Sequence, residues 1–192
     1  AGIIKLATGF GQITEYEHSI IQAAAKAAVE TGAPITTHTD KGTMGDEQQR
    51  LLIEAGVEPH KIIIGHSCGS TDHEYHMNIL EQGSYLGFDR FGIDVLQPDA
   101  ERVSSLLALL HKDKEQQVVI SHDSVWCWRG EPIPADLMAS MDDGAIFNPT
   151  HFHDTIIPQL LAGGATQSQI DTMLVDNPRR FFAGTIPEGA KK

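Results

Sequence analysis

The chain is poor in the features that would place it at a glance. Its two cysteines, Cys68 and Cys127, form neither a disulfide framework nor a C-x-x-C pair. That excludes a small stapled secreted scaffold and points to a reducing compartment, the cytoplasm. No basic stripe interrupts a formal net charge of −12. Nucleic acid is excluded as a partner on that ground, because phosphate contacts need clustered Lys and Arg. No apolar run approaches the ~20 residues of a membrane span, so no membrane partner is expected. No leader precedes the first strand, and the chain opens at Ala1 almost inside that strand, so its start is expected not to be the natural one. A dinucleotide fingerprint is also missing: Gly9-Phe10-Gly11 is a lone G-x-G.

What is present is a repeated ending. Five short apolar runs, of which Ile62-Ile63-Ile64 is too short for a helix and rich in β-branched residues, read as buried parallel strands. Ile3-Ile4 runs into Lys5, Ile35-Thr36-Thr37 into His38, and Ile62-Ile63-Ile64-Gly65 into His66. Tyr85-Leu86-Gly87-Phe88 runs into Asp89 and Arg90, and Val118-Val119-Ile120-Ser121-His122 into Asp123. Each run delivers a polar or ionisable group at its carboxyl end, where active sites of parallel α/β folds sit.

Between the runs the period turns helical. Thr14-x-x-Glu17 is a capping box before Ile20, Ala24, Ala27 and Ala28, and Gly32 ends that helix. The next carries Met44, Gln48, Leu51, Leu52 and Ala55. A second capping box is expected at Thr71-x-x-Glu74, and Asp99 is expected to cap a helix with Val103, Leu106, Leu107 and Leu110 on one face. Residues 124–147 form a long weakly periodic stretch with Trp126 and Trp128, read as an ordered functional loop. Two helices follow. Asn177-Pro178 is expected to stop the second, Phe181-Phe182 to staple its end, and 185–192 to be a flexible tail. Strict strand–helix alternation allows an open doubly wound sheet or part of a (β/α)₈ barrel. Ionisable ends on several strands favour the barrel, although a full barrel takes about 250 residues and the chain has 192.

The candidates for chemistry follow from those endings. His38 and His66, at equivalent strand ends, suit a zinc-like metal through neutral imidazole nitrogens; the alternative is two histidines satisfied by backbone carbonyls. Asp123 could ligate a metal and accept a proton, or cap the turn that follows it. Lys5 is the odd member, since an ammonium cannot ligate a metal. Asp89 and Arg90 would hold a polar substrate atom, order the mouth or pair with each other. Trp126, Cys127 and Trp128 could line an apolar pocket or simply pack the loop. His122 is expected to face away from the mouth. The remaining histidines (His18, His60, His73, His76, His111, His151 and His153) read as solvated.

Gly2-Ile3-Ile4-Lys5, Thr36-Thr37-His38-Thr39, Ile64-Gly65-His66-Ser67, Phe88-Asp89-Arg90-Phe91-Gly92 and Ser121-His122-Asp123 together resemble the phosphotriesterase family, which includes phosphotriesterase-like lactonases and phosphotriesterase-related proteins. The resemblance runs as far as Asn177-Pro178-Arg179-Arg180-Phe181-Phe182. It implies a (β/α)₈ TIM barrel of the amidohydrolase type, incomplete, comprising about strands four to eight, with residues 1–184 as its C-terminal part. It further implies two divalent metal ions, zinc first and Co, Mn or Fe otherwise. Lys5 would be a carboxylated bridging ligand, His38 and His66 would hold one metal, and Asp123 would hold the other and take a proton. A metal-bridging hydroxide would cleave lactones or related esters, with Arg90 beside a small-molecule substrate. A homodimer is implied by family habit alone. Asp89-Arg90 resembles the lactonase-like branch, and residues 147–154 resemble the related-protein branch.

Two positions depart from the family pattern. No His-x-His precedes Lys5; His151-x-His153 follows the last strand and is a different feature. The first three strand–helix units are therefore expected to be missing, leaving four of six ligands, weak metal binding and little turnover. Shortly after His66, where phosphotriesterases carry a relay acid, the chain has Cys68-Gly69-Ser70, so phosphotriester cleavage is expected only as a side activity. Two alternatives stay open. One is a non-catalytic small-ligand-binding protein or decayed pseudoenzyme. The other is another metal-dependent amidohydrolase, with Lys5 in place of a histidine counting against a deaminase.

Overall fold

The computed structural model describes residues 2–123 and 148–186. Among them, β1 (Ile4–Lys5), β2 (Ile35–Thr36), β3 (Ile62–Ile64), β4 (Tyr85–Phe88) and β5 (Val118–Ile120) form one parallel sheet in chain order. The register pairs Lys5 with Thr36, Thr36 with Ile63, Ile64 with Leu86 and Phe88 with Ile120. A doubly wound sheet reverses its strand order at a switch point, and this sheet does not. With right-handed crossovers, an unreversed order puts every helix on the same face. This parallel α/β sheet is consistent with a partial TIM barrel. β1 and β5 each have one strand neighbour among the described residues.

α1 (Glu15–Thr31) starts at the expected capping box, with the Thr14 side chain and Glu17 satisfying each other's backbone amides, and ends at Gly32 with φ 73°. Its buried stripe is Ile21, Ala24, Ala25 and Ala28, so Ile20 points outward. That i, i+3, i+4, i+7 set lies one position away from the expected face. α2 (Gly45–Glu54), α3 (His73–Glu81) and α4 (Asp99–Leu110) follow β2, β3 and β4. Neighbouring helices pack on each other as well as on the sheet. Ile35, Leu52, Ile62, Ile64, Leu86, Phe88, Leu106 and Val118 are fully shut from water. Each such side chain contributes ~1.5–3 kcal/mol of transfer free energy.

Three expectations about helix ends change. The α3 cap is Asp72, which accepts from Glu74 N and Tyr75 N, and Thr71 is not the cap. Asp99 is the first residue of α4 and its carboxylate points elsewhere. Asn177-Pro178 does not stop the last helix. α6 (Gln167–Asp171) continues through a π turn at Thr172–Asp176 into α7 (Asn177–Ala183). The same device joins a π turn at Phe152–Ile156 to α5 (Ile157–Ala162), which contains Pro158. In each case the residue before the proline donates to the carbonyl five positions back. The wide turn moves aside the carbonyl that a proline ring would strike in an α-helix. Asn177, fully buried, donates to Glu115 O and Val118 O and so holds the start of β5. Phe181 packs edge-on against Tyr85 at 5.7 Å, whereas Phe182 is exposed. No helix of the described residues is long and apolar enough to cross a membrane.

Candidate functional site

The five carboxyl ends open on one side of the sheet, and side chains extend the ladder beyond the last strand residues. Lys5 is an exposed residue on the β1 edge, yet its Nζ turns inward and donates to Thr37 O at 2.5 Å. Burial lowers the Lys5 pKa, Asp89 and Asp123 push it back up, and Arg90 lowers it again. His38 follows β2. Its N–H donates to Leu6 O, and its carbonyl accepts from Thr8 N and from Gln48 Nε2 at 2.8 Å. Burial, with help from His66, Arg90 and Lys5, holds the His38 ring down to a pKa of about 4. It is neutral at ordinary pH and retains a lone pair.

His66 sits in the left-handed region, φ 59°, straight after β3. That conformation, uncommon outside glycine, swings the ring to within 4.7 Å of the His38 ring, edge to face. A carboxylate holds it there: Asp89 Oδ1 lies 2.9 Å from both the backbone N and the ring Nδ1 of His66. Two glycines make the room. A Cβ on Gly65 would stand 2.1 Å from Thr37 O, and one on Gly87 would stand 2.7 Å from Asp89 Oδ2. Gly65 is bracketed further by Thr37 Oγ1, which accepts its N–H, and by Thr39 Oγ1, which donates to its carbonyl.

Asp123, beyond β5, is also left-handed, φ 49°. Its Oδ2 accepts from Arg90 Nε at 3.0 Å and lies 3.9 Å from His66 Nε2. Asp89 therefore turns to His66 and Arg90 to Asp123. Lys5, His38, His66, Asp89, Arg90 and Asp123 are all brought to one mouth. No group of three or more His, Cys, Asp and Glu among the described residues stands close enough to hold a metal. The donor types nonetheless fit one: a neutral imidazole at His38, a second imidazole, a carboxylate, and an amine whose neutral form is favoured by burial. Trp126, Cys127 and Trp128 lie outside the described residues.

Several supporting residues are not legible as such in the sequence. His76 is fully buried and its Nε2 meets Ser67 O at 2.9 Å, backing the residue after His66. His60 is also buried. Asp99 accepts from Gly92 N, from Arg102 Nη1 at 2.8 Å and from His151 Nε2 at 2.7 Å. That knot, around an Arg102 only 1% exposed, ties the loop that starts at Arg90 to the segment before α5. A glycine inside a buried strand, as at Gly87, is the sequence signal for close backbone approach and points at this mouth.

The sequence profile of the Phosphotriesterase family matches residues 1–182. A "Phosphotriesterase homology protein" of Mycobacterium tuberculosis is 40% identical over 184 residues, which is 95% of this chain and 55% of that protein. An "Aryldialkylphosphatase" of Saccharolobus solfataricus is 35% identical, covering 95% of this chain and 58% of its own. Among solved structures, a mutant of a Deinococcus radiodurans "PTE-like lactonase" superposes with a TM-score of 0.84 at 41% identity, over 95% of this chain and 57% of that one. The chain spans a little over half the length of these relatives.

Proposed function

The chain belongs to the phosphotriesterase family, and from that premise we propose that its mouth is part of the active site of a metal-dependent hydrolase acting on lactones or related esters, with phosphotriester hydrolysis as a side activity. The observation that carries this reading is the convergence of Lys5, His38, His66 and Asp123 from four different strand ends. Residues 1–184 are then the C-terminal part of a (β/α)₈ barrel, about strands four to eight. The unreversed sheet supports this, as does a groove of about 470 Å³ beside β1, lined by Ile4, Ala27, Thr31 and Pro34.

His38 and His66 would hold metal through ring nitrogens, and Asp123 through its carboxylate. Lys5 would hold it after its neutral amine adds to carbon dioxide, forming a carbamate and releasing one proton. Bound divalent metal, zinc first, supplies Lewis-acid polarisation and a lowered pKa for water. Asp123 accepts the proton that attacking water loses. Arg90, permanently charged, steadies Asp123 and offers its remaining N–H groups to a substrate oxygen.

The test is metal content per folded chain after purification with zinc, together with ring opening of simple lactones and cleavage of an aryl dialkyl phosphate. We expect one metal or fewer per chain, slow lactone turnover, and loss of both in His38→Ala and Asp123→Ala. Two metals per chain with full turnover would refute the partial-site reading. One observation favours a rival, a small-ligand-binding protein without metal: Arg90 already occupies Asp123. Lactone binding that survives both alanine variants, with no metal bound at any stage, would establish the rival.

A further inference from the structure

The structure assigns Asp89 as a positioning residue that fixes the tautomer and ring orientation of His66, a role resting on the metal-site reading above. An ionised carboxylate only accepts hydrogen bonds. With Oδ1 at 2.9 Å from Nδ1, a ring hydrogen therefore sits on Nδ1, and in the neutral ring Nε2 is then the nitrogen that carries the lone pair. Nε2 is also the nitrogen that faces Asp123, at 3.9 Å. The same Oδ1 accepts the His66 backbone N–H, also at 2.9 Å, and Oδ2 stands 3.2 Å from it. One carboxylate thus fixes ring and backbone together, which holds a residue whose left-handed φ would otherwise relax.

The surroundings are arranged around that task. Gly87 leaves the space that Oδ2 fills, since any Cβ there would stand at 2.7 Å. Asp89 is largely shielded, with 17% of its side chain exposed, while His66 is at 8%. Arg90, the adjacent cation, is turned to Asp123 instead. Outer-shell carboxylates of this kind raise ligand basicity, and their loss costs about 10–100-fold in metal affinity.

The experiment uses ¹⁵N-histidine-labelled chain in two states. In the metal-free state at mildly alkaline pH, long-range ¹H–¹⁵N spectra read the His66 tautomer, assigned by its disappearance in His66→Gln. In the zinc-titrated state, a chromophoric chelator competes for metal. The wild type is expected to show His66 with hydrogen on Nδ1 alone. Asp89→Ala should show both tautomers and about 10–100-fold weaker zinc binding. Asp89→Asn keeps a neutral acceptor in the same volume, so the tautomer should survive while zinc binding falls by a smaller factor. It stands in if the alanine variant does not fold. Hydrogen on Nε2 in the wild type, an unchanged tautomer in Asp89→Ala, or zinc affinity equal to wild type in Asp89→Asn would overturn the assignment. If the wild type binds no zinc, the metal-site reading fails while the tautomer arm still decides the role of Asp89.

Discussion

Gly65→Ala is the sharpest probe of how the mouth is built. The added Cβ would stand 2.1 Å from Thr37 O, against about 3.4 Å for ordinary contact, so β2 and β3 must part locally by roughly 1.3 Å. Thr37 is held from three directions. Its N–H donates to Ile63 O at 2.9 Å, its hydroxyl accepts from Gly65 N at 3.2 Å, and its carbonyl accepts from Lys5 Nζ at 2.5 Å. The Thr39 hydroxyl grips Gly65 O at 2.9 Å. A shift of that size stretches the three bonds that tie Thr37 and Thr39 to Ile63 and Gly65 to about 4.2–4.5 Å, where they no longer count as hydrogen bonds. Losing two of them costs ~1–3 kcal/mol, and overpacking adds ~1–3 kcal/mol. The expected loss is therefore ~2–6 kcal/mol, a large share of a typical domain's ~5–15 kcal/mol. Urea unfolding with linear extrapolation measures it. Gly9→Ala is the control, because a Cβ there meets only Glu17 Oε1 at 3.5 Å. A Gly65→Ala variant within ~1 kcal/mol of wild type, with an unchanged m-value, would refute the reasoning.

Four further outcomes follow from contacts described above. Asp99→Ala removes the nearer carboxylate of the buried Arg102, leaving it Asp94 at 3.9 Å and Ile93 O, and should cost up to ~3–5 kcal/mol in urea unfolding, and replacing Arg102 by Met in the same chain should recover part of it. His38 binds a proton only near pH 4 when folded but at about 6.5 when unfolded. The unfolded chain therefore holds more protons between those values, and metal-free stability should fall as pH drops through that window, with a shallower fall in His38→Gln. Burial pushes the Cys68 thiol up to about 12, so in a Cys127→Ser background a thiol reagent should modify Cys68 no faster than the chain unfolds. Thr14→Ala removes the side-chain half of the α1 capping box and should cost ~1 kcal/mol in thermal or urea melts.

Much of the architecture was legible because it depends on local pattern. Each short apolar run became a parallel strand, each was followed by a polar or charged end, and the capping box at Thr14 formed, although the one expected at Thr71 gave way to a cap at Asp72. What was not legible depends on partners distant in the chain. Asp89 finds His66 across 23 residues, and Asp99 finds His151 across 52. His76 reads as a surface histidine until Ser67 O is seen to be its partner. Helical period located the stripe of α1 only to within one residue, because alanines stand on both sides of it. Pro178 was misleading for a different reason. A one-residue widening of the turn lets the helix pass through it, and no local residue announces that widening.

The stitching of strand ends by side chains has a consequence for evolvability. The strands themselves are two to four residues long, and the amides of Gly65 and His66 are closed by a threonine hydroxyl and a carboxylate rather than by a neighbouring strand's carbonyl. Hydrogen exchange at those two amides therefore reports on side chains, and a substitution at Thr37 or Asp89 unlocks one of them without any strand being touched. The groups that shape the mouth are also those that close the sheet around it. Selection for a different substrate at these positions is at once selection on stability, so drift in activity here is tolerated only where the rest of the core has stability to spare.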